Sequence, residues 1–536
     1  MTDIAADRDI YIGGPEEPVT VEVVQSASAA TAARLLARGD LVRHRGRYAL
    51  ANAALTPHQA MVEDLLFIRR ALDAAGIGYL LVRGNDERPV LAVSWTDRRQ
   101  LRESLAAACQ DEPFYAKTVD VKKPVLGLVA DGTLADTPKA RIFRIFRPRL
   151  VPGSGLAFGA AAGIQLELWS FAAAEITLPI ENSLTRRTIP ARDAVRGTVE
   201  RYGLHWPTIE NMFSDHATDI TFDIDLVFSW VDGSDPAWLA GVKGQMRHVQ
   251  LGQGDDHEAR FRQIEELRYA LRSVYLFAPW IRRIFVATDS PRPAWLAEHP
   301  SVTLVRSADF FTDPSVLPTY NSMAVESQLH HIEGLAEHFL YFNDDVFFGR
   351  PVSPDMFFSP GGITRFVEAT TRIGLGGTDP KRSGFENAAR VNRRLLYERF
   401  GRITTRHLAH APTALRRSVL AEMEREFSEE FTQTAASTFR ASTNISVTCS
   451  LYHYYALVTG RAVLQEMAKV KYVDTTKRAA LREMEVLLRR RNMDFFCLND
   501  GSFPEIDDDL RTTAVTDFMK AYFPIPAPWE NDSALT

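Results

Sequence analysis

The stretch 339–350, FLYFNDDVFFGR, sets the tightest limit on what this chain can fold into. Asn343, Asp344 and Asp345 stand together with dense apolar runs on both sides. Runs of Phe, Leu, Tyr and Val are strand material that seeks a buried environment. A carboxylate in such surroundings is costly unless it is paired or bound to a cation. In an extended strand, alternate residues face opposite sides, so Asn343 and Asp345 share one face and Asp344 takes the other. Two oxygen-bearing side chains two residues apart at a strand end suit a hard divalent cation, Mg²⁺ or Mn²⁺. Water and diphosphate oxygens would fill its remaining positions. The bland alternative is a capped strand end with solvated acids. For Asp344 and Asp345 both to reach one cation, the backbone must turn at 343–345.

Other strands of the same kind flank this one. DLVFSWV, within 222–238, reads as a buried strand, and DGSDP follows it as a turn. Ligands of open α/β sheets sit at the carboxyl ends of strands, which makes Asp232 and Asp235 candidate substrate ligands. A plain turn with a capping Asp fits the same letters. The segment 260–281 has a helical stripe of Ile264, Leu267, Leu271 and Val274, with Arg268 and Arg272 on a shared face. Arg268 suits a phosphate, or simply pairs with Glu265. RRIFVATDS reads as a strand, and NSMAVESQLHHIEGL as a helix capped at Asn321 or Ser322. Strands alternating with helices give an α/β core with a mostly parallel sheet over 223–360. Helices expected at 384–400, 413–431, 446–467 and 476–491 make 361–510 an α-rich subdomain, entered through a Gly-rich, basic, mobile loop. Residues 511–536 read as a tail.

At 536 residues the chain exceeds one ordinary core. A small N-terminal α/β domain is expected over 21–178, after a flexible lead at 1–20 and before a connector at 179–222. Its acids read as solvated faces. A net charge of −6 argues against a general nucleic-acid binder. The three cysteines, Cys109, Cys449 and Cys497, are widely spaced and read as buried thiols of a reducing compartment rather than a zinc site. No signal peptide is visible, and the most apolar stretch, 150–169, carries Pro152 and four glycines. The expected location is the cytoplasm, with room for peripheral association at the inner face of the membrane.

Four segments carry a more specific resemblance. DIDLVFSWVDGSDPAW, the run from RFRQIEEL through LPTYNSMAVES to FLYFNDDVFF, HLAHAPTALRRSVLAEMEREF with the later FR, and FFCLND resemble, in order, the four blocks of the Stealth family of sugar-1-phosphate transferases. They span about 223–501. The resemblance implies a GT-A-like core, a nucleotide-diphospho-sugar donor, a glycan or polysaccharide acceptor, and Mg²⁺ or Mn²⁺. An acceptor hydroxyl attacks the sugar-bearing phosphorus, nucleoside monophosphate leaves, and a phosphodiester forms. Its length and N-terminal extension resemble exopolysaccharide phosphotransferases.

By the same resemblance, Arg440 neutralises phosphate and His410 is the general base. Asn321 and Glu326 lie on the donor side, His330 fits the second block, and Asp500 joins Asp344 and Asp345 as metal ligands. Each has a bland alternative: a surface arginine, a structural histidine, an Asn-Asp-Gly turn at Asp500. Two other functions compete. One is a conventional GT-A glycosyltransferase releasing nucleoside diphosphate. The other is a non-catalytic sugar-nucleotide sensor or assembly scaffold.

Overall fold

The computed structural model describes residues 23–246, 264–501 and 504–531. The lead expected over 1–20 lies outside the described residues. The chain divides into two units, one ending at His216 and the other beginning at Ala217.

In the N-terminal unit a nine-stranded mixed sheet is built around Ile164–Phe171. That strand pairs antiparallel with Ile142–Phe146 and parallel with Pro89–Ser94. The helix Pro57–Ala74 opens on a capping box: Thr56 accepts from the Gln59 amide, and the Gln59 side chain accepts from the Thr56 amide. Its stripe of Met61, Leu65, Ile68 and Leu72 is buried in the core, as the spacing requires. Two expectations are corrected here. The presumed connector holds the strand Thr188–Pro190 and the hairpin Arg196–Arg201 with Leu204–Ile209, and its Trp206 is fully buried. One half-buried hairpin face supplies a core, but its polar face masks the signal. The acids are not all solvated: Asp64 is buried between Arg147 and Arg149, and Glu167 is buried against Trp169.

The C-terminal unit is organised by a five-stranded sheet in the order Val302–Val305, Ile284–Ala287, Ile224–Ser229, His338–Asn343, Thr413–Arg416. The first four strands are parallel and the last is antiparallel. Ser229 lies opposite both Ala287 and Asn343, so the carboxyl ends of the central strands meet at one rim.

The strand carrying the acids does not stay extended. It ends at Asn343, turns through Asp344 and Asp345, and resumes as Val346–Phe348 in a different, three-stranded sheet. There it pairs antiparallel with Phe495–Asn499, which pairs parallel with Val470–Asp474. The apolar run therefore serves two sheets. Phe342 packs on Phe228, whereas Phe347 stacks on Phe496 and Phe523. Because Asp344 and Asp345 fall where the chain passes between sheets, the alternation expected of an extended strand does not apply to them.

The remaining elements are mixed. The helices Gly384–Phe400 and Arg478–Arg490 match expectation. The segment 413–431 begins as the edge strand Thr413–Arg416 before its helices, and 446–467 holds a short helix, Tyr452–Val458, and a strand, Ala462–Leu464. Two short strands, Thr364–Phe366 and Glu368–Arg372, occupy the supposed mobile loop. The supposed tail is core: the helix Asp508–Tyr522 is followed by buried Phe523, Ile525 and Trp529. Among the described residues no helix is long and apolar enough to cross a membrane.

Candidate active site

The turn at Asp344–Asp345 is the centre of the site. The register that sets Val346 opposite Cys497 brings the cysteine strand against the turn. The Leu498 amide donates to the Asp345 carbonyl at 3.0 Å. The Cys497 thiol donates to Asp345 Oδ2 at 3.2 Å, and Asn499 Nδ2 donates to the same oxygen at 3.3 Å. Burial and the neighbouring Asp345 push the Cys497 thiol well above its usual pKa, so it remains a donor. Asp345 Oδ1 is buried and has no hydrogen-bond partner. A buried acceptor left unmatched costs roughly 1–3 kcal/mol, and more when charged. That oxygen fits a cation ligand.

His410 stands exposed beside the turn, between half-buried neighbours. Its Nδ1 lies 3.9 Å from Cys497 Sγ, so the thiol touches both the acid and the imidazole. Its ring lies at 57° to that of Tyr472, with centroids 5.0 Å apart.

Behind the turn lies a buried polar layer. The Tyr341 hydroxyl donates to Asn343 Oδ1 at 2.9 Å and lies 2.6 Å from Ser229 Oγ. Burial raises Tyr341 well above the usual range, and Glu326 and Asp344 add to the shift. Glu326, 5% exposed, accepts from Thr448 Oγ1 at 2.6 Å. Burial raises its carboxyl, against the pull of Thr448 and of the Arg440 charge. Arg440 donates to Ser322 Oγ at 3.0 Å. Its loop is pinned by Asn321, which caps the helix Ser322–Gln328 and gives Nδ2 to Asn444 Oδ1 at 2.9 Å. Gly384 makes room for it, since a side chain there would meet Arg440 Cβ at 2.7 Å. Asn321 thus positions the arginine through its loop.

The structure gathers Asn321, Glu326, Asn343, Asp344, Asp345, His410 and Arg440 around the sheet rim and its turn. It gives the other candidates different partners. Asp232 closes its own turn, accepting from the Ser234 amide at 2.9 Å, as turn chemistry alone would have it. The Asp235 carbonyl accepts from the Leu239 amide at 2.9 Å as the helix Pro236–Met246 begins. Arg268 is held by Glu265 at 3.1 Å and Glu530 at 2.7 Å, and so is tied to the carboxyl-terminal segment rather than open to phosphate. His330 is buried against Glu424 at 2.9 Å, with burial lowering its pKa. Asp500 faces Arg511 at 2.9 Å. His330, His331 and Glu424 form a separate group whose ligand atoms lie within 4.8 Å of one another, a spacing that can hold a metal ion.

Sequence reasoning missed Cys497, Asn499, Thr448 and Tyr472. A lone cysteine or threonine carries no periodic signal, and only FFCLND pointed here. It also missed Glu266, whose carboxyl is pushed up to about 7 by burial, with the Asp345 charge adding to the shift.

The chain matches Stealth protein conserved region 1 over 222–243, region 2 over 260–366, region 3 over 409–457 and region 4 over 486–536. It is 58% identical over 494 residues to the exopolysaccharide phosphotransferase CpsY of Mycobacterium tuberculosis, covering 92% of this chain and 93% of that one. It is 52% identical over 480 residues to an exopolysaccharide phosphotransferase of Nocardia farcinica, covering 90% and 89%. Among solved structures, the galactosyltransferase LgtC aligns with 56% of this chain and 96% of its own at 12% identity, with a TM-score of 0.29. At that score the likeness carries no argument about the fold.

Proposed function

The chain belongs to the Stealth family, and on that premise we propose that it is an exopolysaccharide phosphotransferase moving a sugar-1-phosphate from a nucleotide-diphospho-sugar to an acceptor hydroxyl. The bond formed joins the acceptor oxygen to the sugar-bearing phosphorus. The bond broken joins that phosphorus to the bridging oxygen, and nucleoside monophosphate leaves. The observation that carries this reading is Asp345: a half-buried carboxylate whose one buried oxygen is unmatched, beside an exposed histidine.

Phosphoryl transfer needs its reactants in line and charge neutralised on the non-bridging oxygens. Asp345 Oδ1, with Asp344 beside it, would hold the Mg²⁺ or Mn²⁺ that, when bound, neutralises diphosphate charge. Arg440 offers a planar fork to phosphate, braced by Ser322. His410 turns Nδ1 toward Cys497, so Nε2 is the nitrogen that takes the acceptor proton. The parallel strands ending at this rim serve as a GT-A-like donor platform, in keeping with ligands binding at the carboxyl ends of strands.

The test is a panel of UDP- and GDP-sugars incubated with Mg²⁺ and glycan acceptors, with chromatography of the released nucleotide. Release of UMP or GMP is expected. Release of UDP or GDP would assign the chain to conventional glycosyl transfer.

A further inference from the structure

Tyr472 is unusual among the side chains around the turn, because it contacts both arms of the machinery and remains open to solvent. It lies on Val470–Asp474, opposite Cys497 in the parallel pair. Its hydroxyl donates to Asn499 Oδ1 at 2.8 Å. Asn499 in turn donates to Asp345 Oδ2 at 3.3 Å. Its ring packs against His410. Yet 43% of the residue is exposed, an aromatic surface left uncovered beside the base. Burial and the nearby Cys497, Asp474 and Asp345 raise its hydroxyl above the usual range, which keeps it a donor.

Aromatic rings with an apolar body and a polar tip suit the apolar C–H face of a sugar ring, which packs on them while its hydroxyls stay hydrated. A hydroxyl about to lose its proton to His410 must arrive beside that histidine, where Tyr472 offers such a face. Resting on the phosphotransferase reading, we propose that Tyr472 is the acceptor-side residue of the site. Its ring forms one wall of the acceptor-sugar subsite. Its hydroxyl, through Asn499, holds the orientation of Asp345. The two roles separate by substitution, because Tyr472→Phe keeps the ring and Tyr472→Leu keeps only apolar bulk.

The experiment measures steady-state kinetics of the full chain, with the donor that turns over in the wild type and oligosaccharides cut from the cell's surface polysaccharide as acceptors. Tyr472→Leu is expected to raise the acceptor KM about ten-fold with the donor KM unchanged, from loss of ring stacking. Tyr472→Phe should keep the acceptor KM within about two-fold and lower kcat about five-fold, from loss of one hydrogen bond. An unchanged acceptor KM in Tyr472→Leu overturns the subsite, as does an equal rise in the donor KM. An unchanged kcat in Tyr472→Phe overturns the positioning role. These outcomes stand apart from failure of the phosphotransferase reading, which shows in the wild type itself as release of nucleoside diphosphate.

Discussion

Asp64 in the N-terminal unit and Asp345 in the C-terminal unit are both acids set among packed apolar residues, and the fold treats them oppositely. Asp64 Oδ1 is met by Arg147 Nε at 2.7 Å and Arg149 at 2.8 Å, and its Oδ2 by the Arg147 amide at 2.8 Å. Asp345 receives a weak thiol donor and a long amide bond on one oxygen and nothing on the other. Full compensation of a buried charge marks a structural role. Deliberate under-compensation marks a place reserved for something that arrives later, and such sites carry strain that the rest of the fold must offset. The contrast predicts that removing Asp64 harms stability, whereas removing the charge of Asp345 harms chemistry.

The largest expected effect is that of Asp345→Asn. Turnover should fall about 10⁴-fold, the scale seen for charge-stabilising groups in phosphoryl transfer and catalytic triads. The melting temperature should hold or rise, because an unmatched charge has been removed. A melting temperature lowered by ten degrees with activity intact would reverse the contrast.

Next is Asp64→Ala, which leaves Arg147 and Arg149 buried without their acid. Breaking a buried pair from one side costs about 3–5 kcal/mol, to be read from denaturant midpoints of the N-terminal unit's unfolding. A loss under about 1 kcal/mol would mean that Glu63 and Glu112, which also reach these arginines, suffice.

Third is the fully buried His453, whose Nε2 lies 2.9 Å from the Thr448 carbonyl. Burial lowers its pKa to about 4. The unfolded chain takes up a proton near its ordinary value of about 6.5, while the folded chain does not until about 4. Stability is therefore whole above about 6.5 and declines as pH falls toward 4, by about 3 kcal/mol at the lower end. His453→Gln should flatten this decline, as measured by unfolding at pH 7 and pH 4.5. An unchanged slope would assign acid sensitivity elsewhere.

Smallest is Asn321→Ala. It removes the bond to Asn444 and a helix cap, at a cost of about 1–2 kcal/mol. Because the loop it pins carries Arg440, kcat should drop about ten-fold, with stability restored but kcat still depressed when osmolyte is added.

Much of this was legible in the letters. The three central strands are continuous apolar runs bounded by turn residues, and their alternation with helices fixes a mostly parallel sheet. The break at Asp344–Asp345 was not legible, because the apolar run continues across it and hides that Phe342 and Phe347 belong to different sheets. Nor was the fate of Arg268, whose partner Glu530 lies 262 residues away, a pairing no local period reports. The hairpin within 196–209 was read as connector because only one face of its strands is buried. Of the site, the acids at 343–345 were legible as a strand-end cation site, whereas His410 and Arg440 came from resemblance to known blocks. Cys497 and Tyr472 needed the strand register that sets them side by side.

The most direct test of the central claim follows the phosphorus. A nucleotide-diphospho-sugar labelled with ³²P in the sugar-bearing phosphate is incubated with the full chain, Mg²⁺ and acceptor. The account predicts that label becomes covalently attached to the acceptor, in a linkage stable to phosphatase, in equal number with sugar. Label that stays with the nucleotide while sugar moves to the acceptor would contradict it.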